Sequence, residues 1–325
     1  METRPRLTPP IANVRRALRE TFEMAALADT TSVLLAVSGG PDSMALALAA
    51  NFELPKRGIK VCAAIVNHNL QVGSETVAEQ TAQRLRALGL EASILDIKVS
   101  KTGAGPEAEA RNARYSALEA ERARVGAQYV LTGHNLDDQA ETVLLGLTRG
   151  SGLRSIAAMR AVDGKLVRPL LGIEKQELTQ ACIDSGVEYW LDPHNQDTAF
   201  TRVRIRNLMQ QIEAELGPGA NESLARTASL ASEVDDFLTA VALELVERAR
   251  VGEGFAVKEL AASHPAVMNK ALQLICIESG ASSISRTQVL SVAQLITNWH
   301  GQKPLSLSGI TVERVREQIL FRQSS

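Results

Sequence analysis

The stretch from Ser32 to Ser43 constrains this chain more than any other. Ser32 to Val37 reads Ser-Val-Leu-Leu-Ala-Val and stops abruptly at Ser38-Gly39-Gly40-Pro41-Asp42-Ser43. A short apolar run closed by a glycine pair predicts a buried strand ending in a tight turn. Pro41 suits a first helical position, where no backbone donor is needed, so a helix is expected from Pro41 to Ala50. Strand, glycine turn and helix in that order make a phosphate cradle. The glycines admit a close backbone approach, and the helix offers free N–H groups with a partial positive charge. Ser38 and Ser43 add hydroxyls. The turn is not a Walker A loop, since it lacks both the spacing and the Gly-Lys-Ser/Thr ending. A carboxylate beside phosphates is repulsive unless a cation lies between them, which makes Asp42 a candidate Mg²⁺ ligand.

The same alternation continues downstream. Lys60 to Val66, Glu91 to Ile97 and Gln128 to Thr132 read as short buried strands, and Glu75 to Leu88, Pro106 to Val125 and Asp137 to Leu147 read as helices. This order predicts an α/β fold, a doubly wound, Rossmann-like parallel sheet covered on both faces. Gly217-Pro218-Gly219 is the clearest break, so a catalytic domain is expected over 1–218 and a smaller, mostly helical α+β domain over 219–325.

A second polar patch, Gly133-His134-Asn135-Leu136-Asp137-Asp138-Gln139-Ala140-Glu141-Thr142, follows the fourth predicted strand. In open α/β sheets such carboxyl ends are where ligands bind. Three carboxylates and a histidine there suit metal binding or recognition of an amino group. Helix capping by Asn135, with Asp137 and Asp138 against the dipole, is the plainer alternative.

Composition bounds the rest. The net charge is −2, so a basic surface for nucleic acid has to be local. Arg202, Arg204 and Arg206 offer one, and the N-terminal arginines, Arg15, Arg16 and Arg19 among them, offer another. Cys62, Cys182 and Cys276 form no CxxC pair and no metal-ligand spacing. No apolar run is long enough to span a membrane, and a cytoplasmic location is expected.

Ser38-Gly39-Gly40-Pro41-Asp42-Ser43 resembles the SGGxDS loop of the N-type ATP pyrophosphatases, which cleave ATP between its α and β phosphates. Gly133 to Thr142 narrows the resemblance to the tRNA(Ile)-lysidine synthase family, being similar to its HHxxDDxxET motif. Glu109-Ala110-Arg111-Asn112-Ala113-Arg114-Tyr115 resembles that family's helix of ATP-contacting arginines. Val66-Asn67-His68-Asn69-Leu70 resembles its VDHGLR segment, with Asn67 in place of the acid. Leu191 to Asp197, followed by Thr201 to Asn207, resembles its DPSNxD and RNRIRN stretches, with His194 and Val203 as departures.

The resemblance implies ATP, Mg²⁺, free L-lysine and a tRNA(Ile) with a CAU anticodon, and no membrane partner. A homodimer is compatible with it. It further implies an ATP site of Ser38, Gly39, Gly40, Pro41, Asp42, Ser43, His68, Arg111, Arg114 and His134. Metal would sit on Asp42 and Asp138. Asp137, Glu141, Arg202, Arg204 and Arg206 would meet lysine or tRNA. The chemistry would rest on Asp42, Arg111, Asp137, Asp138 and Glu141. Three other readings stay open at this point: a tRNA thiolase, a small-molecule ATP-dependent amidating ligase, and a non-catalytic nucleotide- or RNA-binding module.

Overall fold

The computed structural model describes residues 7–27, 29–67, 73–97, 105–149, 152–192, 197–198 and 201–323. The chain forms two compact units, Met1–Thr142 with Met159–Ala225, and Val143–Ala158 with Arg226–Ser325.

In the first half the elements are α1 (Pro9–Met24), β1 (Ser32–Ala36), α2 (Pro41–Glu53), β2 (Lys60–Asn67), α3 (Ser74–Ala87), β3 (Glu91–Asp96), α4 (Pro106–Arg124), β4 (Tyr129–Thr132), α5 (Leu136–Arg149), α6 (Leu153–Ile156), β5 (Val162–Asp163), β6 (Leu166–Val167), α7 (Lys175–Asp184) and α8 (Thr201–Leu216). One sheet has the order β3-β2-β1-β4-β6-β5. All its pairings are parallel except β5 with β6. This is the expected doubly wound sheet.

Side chains alternate across it with the period of two that a pleated strand imposes. Val33 and Leu35, Val61, Ala63 and Ile65, and Leu131 face one core with α1, α2, α3 and α7. Leu34, Cys62, Ala64 and Val130 face the other, against Leu118 of α4. Side chains on both faces are buried, which is why the strands read as continuous apolar runs.

Chain order reverses between β1 and β4. The chain runs outward through β2 and β3, then returns to β4 on the opposite side of β1. Such a reversal opens a crevice beyond the carboxyl ends of the two neighbouring strands. Both polar motifs lie there, one after β1 and one after β4.

Helix α1 was hidden by its proline-containing start. It buries Ile11, Val14, Leu18 and Phe22, one stripe at helical spacing. Its arginines turn to structural work. The Arg15 guanidinium lies 3.4 Å from the Phe52 ring centre, and Arg19 pairs with Glu53 at 3.0 Å.

The second half holds α9 (Ala220–Ala249), β7 (Arg250–Val251), β8 (Gly254–Ala256), α10 (Val257–Ala261), α11 (Pro265–Glu278), α12 (Arg286–Thr297), β9 (Leu305–Leu307), β10 (Ile310–Val315) and β11 (Gln318–Gln323). Its sheet is antiparallel, in the order β7-β8-β11-β10-β9. Ile310, Val312 and Ile319 on that sheet pack with Leu272, Ile275 and Cys276 of α11 and Val292 and Leu295 of α12. A capping box of Ser285 and Gln288 starts α12. Among the described residues no helix is long and apolar enough to cross a membrane.

Candidate active site

The glycine turn is fixed by its own hydrogen bonds and by two neighbours. Gly39 has φ +86°, and a Cβ there would lie 2.5 Å from Thr81 Oγ1. Glycine is therefore needed for both backbone conformation and space. The Gly39 carbonyl accepts from Trp190 N at 2.8 Å, which ties the turn to the segment after α7. Ser43 Oγ donates to the Gly40 carbonyl at 2.9 Å and accepts from Ser38 N at 3.2 Å. Ser43 thus braces the turn from inside, while Ser38 Oγ sits 3.3 Å from Ser43 Oγ. Gly40 is the N-cap of α2 and Pro41 occupies its first turn.

The two motifs interlock through a second glycine. A Cβ on Gly133 would lie 2.9 Å from the carbonyl carbon and oxygen of Asp42. Only glycine lets the β4–α5 turn lie against the start of α2. Asp42 thereby comes among Asp137, Asp138, Lys175 and Arg206. Burial is the main reason its pKa is pushed up to about 7; Asp138 and Asp137 add to the rise, while Lys175 and Arg206 oppose it. Its Oδ1 is buried without a hydrogen-bond partner.

The three carboxylates of α5 are in three different situations. Asn135 Oδ1 accepts from Asp138 N at 3.0 Å, and Asp138 Oδ2 accepts from Asn135 N at 3.1 Å. This reciprocal cap is the plainer reading of those two residues, and it engages one Asp138 oxygen. Asp137 accepts from the backbone N–H of Lys175, and burial raises its pKa. Glu141 accepts from Arg206 Nε at 2.8 Å through Oε1. Its Oε2 is buried with no partner, and burial again raises the pKa against the pull of Arg206.

A basic group surrounds His134, just after β4. Burial chiefly drives the His134 pKa down to about 3, helped by Arg168, Arg114, Arg111 and Arg202. His134 is therefore neutral at any working pH, and its Nδ1 lies 2.7 Å from Thr132 Oγ1. Arg111 reaches Tyr115 Oη at 3.3 Å. Burial lowers its pKa, and the guanidiniums of Arg202, Arg114 and Arg168 add to this. So many cations around one neutral ring leave room for an anion.

Helix α8 separates the three arginines that the sequence groups. Arg202 joins the basic group and Arg206 the acidic one. Arg204 is exposed and donates to Thr198 O at 2.8 Å. His68 and His194 lie outside the described residues.

Two residues of the site escape the sequence reading. Arg168 is buried beside His134, with an unpartnered Nε. Lys175 begins α7 next to Asp42. Both carry a signal in hindsight. Arg168 interrupts the apolar run from Leu166 to Leu171, and Lys175 puts a cation at the positive end of a helix.

The cysteines weaken the thiolase reading. Cys182, Cys62 and Cys276 are buried in three separate hydrophobic cores. They cannot jointly hold a cluster or relay sulfur.

Comparison with known proteins agrees with this geometry. A PP-loop domain family model matches residues 11–212, and a TilS substrate binding domain model matches residues 255–320. A tRNA(Ile)-lysidine synthase of Leifsonia xyli subsp. xyli is 45% identical over 302 residues, 91% of this chain and 91% of that protein. Another, of Streptomyces coelicolor, is 44% identical, covering 87% of this chain and 82% of that protein. Among solved structures, the U34-tRNA thiolase NcsA from Methanococcus maripaludis superposes with a TM-score of 0.59 at 20% identity, over 69% of this chain and 80% of that one. That likeness reports the fold alone. Family models along most of its length and relatives matched nearly end to end establish that this chain belongs to the tRNA(Ile)-lysidine synthase family.

Proposed function

We propose that ATP lies across the β1–β4 crevice, its pyrophosphate in the Ser38–Ser43 turn, and that the wobble cytidine of a CAU-bearing tRNA(Ile) meets it there. The chain is an ATP-dependent ligase that forms lysidine at that cytidine, as its family membership implies. The observation that carries the residue assignment is the interlock at Gly133, which brings a phosphate cradle and a buried acidic group to one point.

Cytidine O2 attacks the α-phosphate, the bond to the β-phosphate breaks, and pyrophosphate leaves into the turn. The N–H groups of the turn and the start of α2, with Arg111, stabilise the charge that develops on it. Positioning dominates, because this kind of transfer leaves little covalent work for side chains. The ε-amine of free L-lysine then attacks C2 of the activated cytidine, AMP leaves, and the amine loses a proton. Asp137 and Glu141 suit the lysine ammonium, since Glu141 Oε2 is a buried acceptor awaiting a donor. A carboxylate with a raised pKa, such as Asp137 or Glu141, suits the proton that the amine releases.

Mg²⁺ fits Asp42. Its Oδ1 is buried without a partner, and among the described residues no three His, Cys, Asp or Glu side chains form a ready cage. Such a site suits an ion held by one or two carboxylates and completed by phosphate oxygens and water. Asp42 would hold it, with the free oxygen of Asp138 as second ligand, and it would neutralise phosphate charge there. Arg114 and the neutral His134 line the ATP side. Arg202 and Arg206 face incoming tRNA phosphates, and Arg204 adds charge at the rim. The 1–218 part acts as the catalytic domain and 219–325 as the part that selects the tRNA. In a test, pyrophosphate release is followed while tRNA(Ile) transcript, L-lysine and Mg²⁺ are omitted in turn. Release that requires the tRNA is expected; release without it would move the substrate to a small molecule.

A further inference from the structure

Among the described residues, Lys175 is the one cation acting on both Asp42 and Asp137 that the mechanism above leaves without a role. It is the leading positive charge acting on Asp42, and it also acts on Asp137. Among the described residues its ammonium is closed into no ion pair.

Its backbone is held from two sides. The Lys175 N–H donates to the Asp137 carboxylate, and Leu136 N donates to Ile173 O at 3.0 Å, which joins the start of α7 to the start of α5. Cys182 Sγ donates to Pro41 O at 3.3 Å, which joins the next turns of α7 to the start of α2. Leu178 and Cys182 are fully buried in the same core as α2. The Lys175 backbone is therefore anchored relative to the glycine turn.

The position is unfavourable for a lysine in isolation. An ammonium in the first turn of a helix opposes the macrodipole. The glycine turn, meanwhile, carries no lysine of its own, although an ATP pyrophosphate bears several negative charges. An anion lying between the turn and α7 resolves both problems, because its oxygens would accept from the ammonium and from the free N–H groups together.

We infer that Lys175 is a phosphate-binding residue, supplying from α7 the cation for the β- and γ-phosphates that the Ser38–Ser43 turn lacks. The inference rests on the pyrophosphate reading of that turn. The L-lysine carboxylate is the other anion that a free ammonium could bind, and the test separates the two.

Full-length protein carrying Lys175→Met or Lys175→Arg is assayed for inhibition by inorganic pyrophosphate, for AMP binding, and for the L-lysine KM. Lys175→Met is expected to weaken pyrophosphate inhibition by about 10- to 100-fold, the value of one charge-assisted hydrogen bond. AMP affinity and the L-lysine KM should stay within about twofold, and Lys175→Arg should regain most of the loss. Unchanged pyrophosphate inhibition, or a loss confined to the L-lysine KM, would overturn the assignment. If Lys175→Met does not fold, Lys175→Gln is read by the same criteria. If the unsubstituted protein is itself insensitive to pyrophosphate, the reading of the turn fails, and this inference falls with it.

Discussion

Two sites of buried charge, one in each unit, are treated in opposite ways. In the second unit, Lys270 on α11 and Asp235 on α9 form an ion pair at 2.6 Å, each side chain only 7% exposed. That pair is closed on itself. In the first unit, Asp42 Oδ1, Glu141 Oε2 and Arg168 Nε are buried with no partner at all. An unsatisfied buried polar atom costs about 1–3 kcal/mol, so the first unit carries that penalty on ionisable groups, whereas in the second the unpartnered buried atom among the described residues belongs to the neutral Asn269. The closed pair makes no demand on a ligand, whereas the open groups are those we propose that ATP, Mg²⁺ and L-lysine satisfy.

This contrast can be broken in four places. The largest effect belongs to the closed pair. Lys270→Met leaves Asp235 buried and alone, and should lower stability by about 3–5 kcal/mol in chemical denaturation. Replacing both partners with apolar residues should recover much of that loss. Next comes the open group. Asp42→Asn should cut the rate of pyrophosphate release by roughly 100- to 1,000-fold, a loss of charge stabilisation rather than of fold. Its melting temperature should not fall, because a buried and partnerless charge has been removed.

Third, the arginines of α8 should separate. Arg206→Ala strips Glu141 of its hydrogen-bonding partner, so a stability loss of about 1–3 kcal/mol and a raised L-lysine KM are expected. Arg204→Ala should stay within about 0.5 kcal/mol of the parent and weaken tRNA binding only slightly. Equal effects from the two would refute the division of that helix into an inward and an outward side.

The smallest effect is one of pH. The folded pKa of Asp42 is raised to about 7 from an ordinary 3.8, chiefly by burial. A raised carboxyl favours the fold while it is protonated, and that contribution disappears as pH rises through the folded pKa. Asp137 and Glu141 shift in the same direction. The ligand-free protein should therefore lose melting temperature between about pH 4 and about pH 7. Mg²⁺ with ATP should restore it, and Asp42→Asn should flatten part of the slope. A ligand-free protein that gains stability over that range would contradict the assigned shifts.

The sequence carried the sheet well, because strands buried on both faces leave uninterrupted apolar runs such as Val33 to Val37. It carried the two motifs well too, since glycine pairs and clustered carboxylates are local signals. What it could not carry depends on contacts between distant segments. The packing of α7 against α2 and α5 brings Lys175 and Trp190 to the candidate site; a cation at a helix start is the one faint local mark of the first, and the second has none. The acidic patch looked like one group of three. Only the fold separates Asp138, tied to the Asn135 cap, from Glu141, tied to Arg206. Helix α1 was missed because its polar, proline-bearing start draws attention from the apolar stripe that begins at Ile11.

The most direct test follows the product. An unmodified tRNA(Ile) transcript with a CAU anticodon would be incubated with ATP, Mg²⁺, L-lysine and either the parent protein or Asp42→Asn, and its nucleosides read by mass spectrometry. The account predicts lysidine at the wobble position with the parent, and almost none with a folded Asp42→Asn protein that still binds the tRNA. Lysidine formed by Asp42→Asn at the parental rate would show that the open carboxylate in the crevice is not where ATP is activated.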